Sequence, residues 1–166
     1  MTAPIPDRLV QSFRFGVTLS ASGGGRSPTP LGNGAFAECS GLTLDADVRE
    51  LLEGGFNDGV VRRVGRVKLQ PLVLKRGMIV SSTDGYADTS FWSWLTAMVR
   101  GDLPVPRCDG HVLVQGLNDK DIVAHWSFVR GLPVKVTGPT LNARTGEVAI
   151  EELHIAHEGL LLEDRP

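Results

Sequence analysis

The chain has 166 residues with 19 acidic and 17 basic side chains, so its formal net charge is -2. A chain of this length can bury roughly 70% of the surface that it exposes when unfolded, which is enough for one domain with its own hydrophobic core. The charge balance argues against nucleic-acid binding by counterion release, and Cys39 and Cys108 are too few for the disulfide framework of a small secreted domain, so we expect two free, buried thiols.

The first predicted strand covers residues 13–20, where apolar and polar residues alternate. The residues that would share its buried face are Phe13, Phe15, Val17 and Leu19. The Gly-, Ser- and Pro-rich residues 21–34 follow, and these residue types neither pack nor hold a ladder of backbone hydrogen bonds. They therefore predict a flexible surface loop.

The next part of the chain predicts two strands separated by a long excursion. Residues 35–44 have the pattern of a strand, whereas residues 45–65 mix charges with glycine-containing turns and predict an extended connection. Strand character resumes over residues 66–75, but the apolar residues change parity at Pro71. We interpret this change as a bulge or an edge position within one strand.

Residues 88–101 predict a helix, because the apolar spacing changes there from two residues to the helical i, i+3, i+4, i+7 pattern. Its apolar stripe consists of Phe91, Trp94, Leu95 and Met98. Thr89 or Ser90 would be the N-cap, and Gly101 stands where a helix typically ends. An aromatic stripe at helical spacing is far more often core than a ligand platform, so we expect this helix to pack on a sheet.

The remaining elements are predicted strands. Residues 111–117 and 122–129 predict a β-hairpin around a polar Asn-Asp-Lys-Asp turn. Residues 134–137 predict a short strand, and the last strand runs from Glu147 onward. The chain as a whole therefore predicts many short strands and one helix.

The stretch EVAIEELHIAHEGL, residues 147–160, brings four acids and two histidines close together in sequence. In a strand, Glu151 and His157 share one face while Glu152 and His154 share the other, so the two histidines could not share a metal ion and the two acids could not act across one cleft. In a helix, the two histidines would share a face and could chelate a metal. Periodicity leaves both open, but the β-branched residues favour the strand. No HExxH order is present either, so we predict no metal site, no cofactor and no catalytic residues.

Several strings of the sequence, in the same order, match those of one protein family. They are FAECSGL (36–42), EGGFN (53–57), GRVK (65–68), LKRG (74–77), WSFVRGLP (126–133), GPTLNA (138–143) and VAIEELHIAHEG (148–159). The chain thereby resembles the tail tube proteins of contractile bacteriophages and of phage-tail-like contractile injection systems, with the type VI secretion tube protein as a more distant relative. The order and spacing of the strings are more specific than any one of them.

The resemblance implies a mainly β fold, an antiparallel β-sandwich or split barrel with one flanking α-helix, in which residues 1–166 form a single domain. Six copies would form a ring with a continuous β-barrel lumen, and the rings would stack into a tube inside a contractile sheath. Pairing around such a ring would also remove strand edges that are an aggregation hazard in a monomer. The motif residues to which the family match gives structural roles are Gly41, Gly65, Lys75, Arg76, Gly77, Trp126, Pro133, Glu151, His157 and Gly159.

The resemblance also implies that residues 45–65 form an arm that reaches a neighbouring subunit or the next ring. Composition alone would favour an exposed charged loop. In the arm, glycines would allow tight turns and charged residues would set the register between rings. The residues predicted for this contact are Glu50, Glu53, Gly54, Gly55, Phe56, Asn57, Arg62 and Arg63.

The implied function is that of a structural, non-enzymatic inner tube subunit, the conduit that sheath contraction drives through a target envelope. Its partners would be further copies of itself, the sheath protein, baseplate or hub proteins, and cargo or genome in the lumen. We expect no sequence-specific nucleic-acid binding and no membrane insertion. The sequence shows no signal-peptide pattern and no run of about 18 apolar residues, so we expect assembly in the bacterial cytoplasm as part of a phage tail or an injection particle.

Two alternatives remain open at this stage. A tube-initiating or baseplate-adaptor protein of the same fold would form one ring without polymerising. A small β-barrel enzyme or ligand-binding protein would use one or more of the four histidines, although an isolated histidine in a strand is more often surface or core than catalytic. These histidines are His111, His125, His154 and His157.

Overall fold

The structure is a computed structural model that describes residues 9–22, 36–51, 59–82, 84–102, 104–116 and 121–164. The strands in chain order are β1 (Phe15–Ala21), β2 (Phe36–Ser40), β3 (Leu44–Leu51), β4 (Val61–Leu69), β5 (Leu72–Gly77), β6 (Cys108–Gln115), β7 (Ile122–Thr137), β8 (Ile150–Ala156) and β9 (Gly159–Leu162). The helix α1 covers Ser90–Arg100, and none of the residues described forms a helix that is long and apolar enough to cross a membrane. The predicted mainly β fold with antiparallel sheets and a flanking helix is confirmed.

Seven strands form one antiparallel sheet in the order β1-β6-β7-β8-β5-β2, with β9 also paired to β7. The 16-residue β7 connects two parts of this sheet. Its first residues pair with β6 and β9 in one part, and its last residues pair with β8 in the other. Arg130 has a positive φ of 55° and lies where the pairing with β6 becomes irregular. The prediction of a separate strand at residues 134–137 is therefore wrong, since strand pairing continues through the bulge.

The hydrophobic core combines residues from both parts of this sheet with residues of α1. Strict alternation along β5 and β8 points every second side chain into it, as expected for a half-buried strand. The buried members of the core cluster are Leu19, Leu72, Leu74, Phe91, Trp94, Cys108, Phe128, Leu153 and Ile155. The ring of Phe91 also stacks on that of Phe36 in β2, with 6.3 Å between centroids. The helix thus packs on the sheet through the predicted aromatic stripe.

The two ends of α1 are fixed by local hydrogen bonds. Thr89 occupies the N-cap position without a capping side-chain bond, and instead the Asp88 carboxylate accepts from the backbone N–H of Ser90 at 2.8 Å. Gly101 adopts a left-handed conformation with φ of 79°, and its N–H donates to the carbonyl of Met98 at 3.1 Å. Glycine takes this conformation without strain, so the helix ends at the predicted residue.

A second sheet consists only of β3 and β4, which pair antiparallel. Two predictions are wrong here. The strand predicted for residues 66–75 is two strands in different sheets, because β4 ends at Leu69 and β5 begins at Leu72. The strand predicted for residues 35–44 likewise breaks after Ser40, and β3 leads into the second sheet. The change of parity at Pro71 marks a change of sheet rather than a bulge.

Four smaller expectations have mixed outcomes. Phe13, predicted on the buried face of the first strand, precedes β1 and is 67% exposed. Both cysteines are free, but Cys39 is only half-buried whereas Cys108 is fully buried. The last strand is interrupted after Ala156, and β9 pairs with β7 instead of continuing beside β5. Most of the loop predicted at residues 21–34 lies outside the described residues.

Candidate functional site

Two fully buried charges, Arg76 and Glu151, lie directly opposite each other on β5 and β8. Nε of Arg76 donates to Oε1 of Glu151 at 2.7 Å, and the indole N–H of Trp92 donates to Oε2 at 3.2 Å. A charge is tolerated in a protein interior only when it is paired and hydrogen-bonded. Both residues are among those predicted from the family motifs, and their contact joins two strands to the helix.

The Arg76 guanidinium also contacts the beginning of α1. Its Nη2 lies 3.0 Å from Oδ2 of Asp88 and donates to Oγ of Ser90 at 3.2 Å, while the group stacks 3.7 Å above the centre of the Phe91 ring. Burial alone would raise the pKa of Asp88, but hydrogen bonds from Ser90 and the charge of Arg76 lower it below its ordinary value. The cluster therefore holds the helix on the sheet through paired charges, and the Asp88 carboxylate stays ionised at neutral pH.

The junction between the two sheets is tightly constrained. Gly41, which follows β2, has φ of 85°, and a Cβ there would lie 2.2 Å from the carbonyl oxygen of Pro71. Nε2 of His157 donates to the carbonyl of Gln70 at 3.1 Å. Burial lowers the pKa of His157, more than interactions with the backbone of Gln70 and Gly159 raise it. A neutral imidazole therefore anchors the segment between β4 and β5, where the chain returns to the main sheet.

The β3–β4 hairpin packs chiefly against itself, and one of its faces is apolar. The register pairs Ala46 with Val67 and Val48 with Val64, so an extra residue on β4 keeps the two β4 valines on one face. Gly65 provides this bulge, since a Cβ there would lie 3.0 Å from the carbonyl oxygen of Asp47. We name four exposed residues of this face the arm stripe: Leu44 (63% exposed), Val48 (62%), Val64 (79%) and Val67 (57%).

The charged residues predicted for the arm are only partly described. Glu50 lies on β3 opposite Arg62 on β4, with Oε1 and Nε 3.4 Å apart, and Arg63 lies opposite Arg49. The structure thus brings Glu50 and Arg62 together within one subunit, as an exposed pair of the kind that stabilises little. The other predicted arm residues lie outside the described part of the chain, namely Glu53, Gly54, Gly55, Phe56 and Asn57.

Other motif residues are spread over the main sheet. Lys75 lies on the outer face of β5, with Nζ 3.0 Å from Oε2 of Glu38 on β2. Gly77 ends β5, where a Cβ would lie 3.4 Å from Cγ1 of Val148. At Gly159, which begins β9, a Cβ would lie 3.1 Å from Cγ2 of Val129. These glycines lie where another chain segment approaches the backbone closely.

The two remaining motif residues lie on β7. Trp126 is half-buried between Val112 on β6 and Leu162 on β9. Pro133 is fully buried opposite Ile155 on β8, at a register shift where a missing backbone N–H is tolerated. Both residues therefore have packing roles.

Two of the four histidines form a close pair. Nδ1 of His111 lies 3.0 Å from Nε2 of His125, on the exposed face of β6 and β7. His154 and His157 lie on opposite faces of the sheet, as the strand pattern predicted. His154 instead contacts Glu152 at 2.5 Å, and this hydrogen bond lowers the pKa of that acid. The described residues contain no group of three or more His, Cys, Asp or Glu side chains placed to hold a metal.

Sequence reasoning missed the arm stripe, because it gave weight to the charges of the arm. The alternation of Leu44, Ala46 and Val48 with acids was the available signal. It also missed that β1 and β2 are the outermost strands of the main sheet, each with one side unpaired among the described strands. Which strands lie at the edges depends on pairing between distant segments, and no local pattern encodes it.

Comparison with known proteins gives a family match over most of the chain and solved structures of the same fold. The family model described as "T4-like virus tail tube protein gp19" matches residues 11–161. No curated protein sequence matches the chain. Three solved structures share the fold, at identities of 16%, 18% and 19%.

The first is a chain of the structure of the anti-feeding prophage tube-terminating cap, with 16% identity, a TM-score of 0.74, and coverage of 99% of this chain and 97% of that chain. The second is a chain of the sheath–tube complex of the extracellular contractile injection system PVC in its extended state. It has 18% identity, a TM-score of 0.70, and coverage of 93% of this chain and 91% of that chain. The third is a chain of the anti-feeding prophage baseplate, with 19% identity, a TM-score of 0.70, and coverage of 98% of this chain and 97% of that chain.

Proposed function

The chain belongs to the T4-like virus tail tube protein family, and from this premise we propose that it is the inner tube subunit of a contractile phage tail or contractile injection system. Six copies form a ring, and rings stack into the conduit that sheath contraction drives through a target envelope. The role is mechanical and involves no catalytic step.

The observation that carries this proposal is the arm stripe on the β3–β4 hairpin. Val64 is 79% exposed and Val48 62%, in a hairpin that packs chiefly against itself. Fully burying one such aliphatic side chain stabilises an assembly by about 1.5–3 kcal/mol. Contact with a second copy of the chain supplies that burial, and a head-to-tail contact that closes after a fixed rotation produces a ring.

The edges of the main sheet support the same arrangement. β1 and β2 end the strand order, so each presents one row of backbone groups that no described strand pairs. Such edges promote aggregation unless they are paired or covered. Joining them between neighbouring subunits completes a continuous β-barrel around the lumen, with the polar faces of the strands lining the bore.

The arm reaches a neighbouring subunit or the next ring, with Glu50, Arg62 and Arg63 setting the register. The sheath protein surrounds the tube, baseplate or hub proteins start it, and cargo or genome passes through the lumen. The particle assembles in the bacterial cytoplasm, as part of a phage tail or of an injection device.

Electron microscopy of the purified protein tests the proposal. Negative-stain images of the wild type should show rings that stack into long tubes. Val64→Asp, which places a charge in the arm stripe, should remain a folded monomer. The matched control Val99→Asp changes a valine of similar exposure, 76%, on α1 and should still form tubes. A wild type that stays monomeric at high concentration, or a Val64→Asp variant that assembles normally, would overturn the proposal.

A second candidate is a ring protein at one end of the tube. The similarity to a tube-terminating cap, with a TM-score of 0.74, favours a terminating ring, and the similarity to a baseplate chain, at 0.70, favours an initiating or adaptor ring. Such a protein would form discrete rings that do not stack. Single rings in place of long tubes would therefore select this candidate over the first.

A further inference from the structure

His111 and His125 form a side-chain pair that the proposed contacts of the tube do not use. They are diagonal neighbours on adjacent strands, because His111 pairs with Ser127 and His125 pairs with Leu113. Nδ1 of His111 lies 3.0 Å from Nε2 of His125, and their rings are 5.1 Å apart at 50°. The two imidazoles thus meet on the face of the sheet that points away from the hydrophobic core.

We propose that this pair binds a divalent transition-metal ion, with Nδ1 of His111 and Nε2 of His125 as its protein ligands. A metal–imidazole bond is about 2.0–2.1 Å long, so two such bonds at a right angle place their nitrogens about 2.9 Å apart, whereas tetrahedral bonds place them about 3.4 Å apart. The observed 3.0 Å separation fits the right angle. Ni²⁺ and Cu²⁺ favour this square-planar or octahedral geometry, and among divalent ions they bind nitrogen ligands strongly.

Binding requires a rearrangement of one proton. In the metal-free pair, the N–H of one ring points at the lone pair of the other, so these two nitrogens share a single proton. The accepting ring already has its N–H on the nitrogen that faces away. Binding moves the proton of the donating ring, through water, from the contact nitrogen to the other nitrogen of that same ring, so that both contact nitrogens have a free lone pair and no net proton is released. Rotation about the Cβ–Cγ bonds turns both lone pairs away from the line between the two nitrogens and toward an ion beside it, which the exposed setting of the pair allows. Water fills the remaining coordination positions.

Two acidic side chains share this face with the pair. Asp109 lies on the same face of β6 as His111, and its Oδ1 accepts from Oγ of Ser22 at 2.6 Å and from the backbone N–H of Arg130 at 2.8 Å. The Glu163 carboxylate accepts a short hydrogen bond from Ser127, the residue opposite His111. No third ligand side chain completes a set with the pair among the described residues. The site is therefore a two-point chelate that joins β6 to β7.

The experiment uses tag-free protein in the Val64→Asp background, so that the outcome does not depend on tube assembly. Ni²⁺ and Cu²⁺ are titrated by calorimetry, and Cu²⁺ is followed by electron paramagnetic resonance. One ion should bind per chain with two equatorial imidazole nitrogens, and it should raise the unfolding temperature, because an ion held by the folded pair stabilises the folded state.

His111→Ala and His125→Ala should each weaken binding on the order of 100-fold, because the second bond of a chelate forms intramolecularly. The control His154→Ala removes a histidine on another strand and should leave binding unchanged. Metal-free unfolding curves verify that the variants are folded. Failure of the parent protein to bind either ion, or undiminished binding by His111→Ala, would overturn the proposal.

Discussion

The main sheet with α1 and the β3–β4 hairpin are built in opposite ways. In the main sheet, two opposite charges are buried, since Arg76 and Glu151 have no exposed surface. In the hairpin, Val48 and Val64 are mostly exposed and the charges pair at the surface. The main sheet contains its own stabilising contacts, whereas the hairpin presents surface that another chain can bury. We therefore expect folding and the proposed assembly to depend on separate sets of residues.

The largest expected effect tests the interior. Arg76→Ala leaves the Glu151 carboxylate buried without its partner, and breaking a buried pair in this way costs about 3–5 kcal/mol. Urea unfolding of the monomeric Val64→Asp background should show this loss. The control Lys75→Ala removes the cationic side chain of the preceding residue, which lies on the outer face of β5, and should lower the free energy of unfolding far less. Equal effects of the two substitutions would contradict the distinction between the two faces of β5.

The next effect concerns the junction between the two regions. Gly41→Ala introduces a Cβ 2.2 Å from a backbone oxygen at a positive φ, so either the hairpin moves or the main sheet is strained. The left-handed conformation alone costs an alanine about 1–2 kcal/mol, and the clash adds to it. Gly85→Ala is the control, since Gly85 has φ of 73° but nothing within 4 Å. Gly41→Ala should lower both stability and tube yield more than Gly85→Ala does, and identical losses would show that the contact with Pro71 is unimportant.

A smaller effect depends on pH. The pKa of His157 is lower in the folded protein than its ordinary value of about 6.5, so the unfolded chain takes up this proton first as the pH falls. Its contribution is complete above about pH 6.5 and is lost as the pH falls through the folded-state pKa. His157→Gln can still donate to Gln70 but does not titrate. Chemical unfolding between neutral and mildly acid pH should show a shallower decline for the variant, and equal slopes would contradict this role.

The smallest stability effect is expected in the arm stripe. Val48→Asp should change the free energy of unfolding of the subunit by no more than about 0.5 kcal/mol, as is usual for a surface substitution. Ring formation, measured by sedimentation velocity, should nevertheless be lost. A variant that unfolds much more easily as an isolated subunit would show that the stripe packs within its own chain.

Alternation, once the β-branched residues had favoured a strand, was sufficient to predict which residues of β8 share a face. Glu151, Leu153 and Ile155 share one face, which the structure shows to be buried, because side chains in a strand alternate with a period of two whatever the strand pairs with. The helical stripe of Phe91 and Trp94 was predictable for the same reason, with a different period. These are properties of short segments, and the sequence contains them directly.

Contacts between distant segments could not be read in this way. A parity change at Pro71 fits a bulge and a change of sheet equally well, and only the pairing of β4 with β3 distinguishes them. Arg76 and Glu151 are 75 residues apart, and an arginine on an otherwise apolar face gives no sign of its partner. The positive φ of Arg130 within β7 likewise depends on the irregular pairing with β6.

Hydrogen exchange tests most directly whether the hairpin depends on other copies of the chain. Backbone amides of β3 and β4 should exchange rapidly in the Val64→Asp subunit and slowly in wild-type assemblies, because burial against a neighbour suppresses local opening. Amides of β5 and β8 should exchange slowly in both. Equally slow exchange of the hairpin in the isolated subunit would contradict the account, since the hairpin would then be stable without a partner.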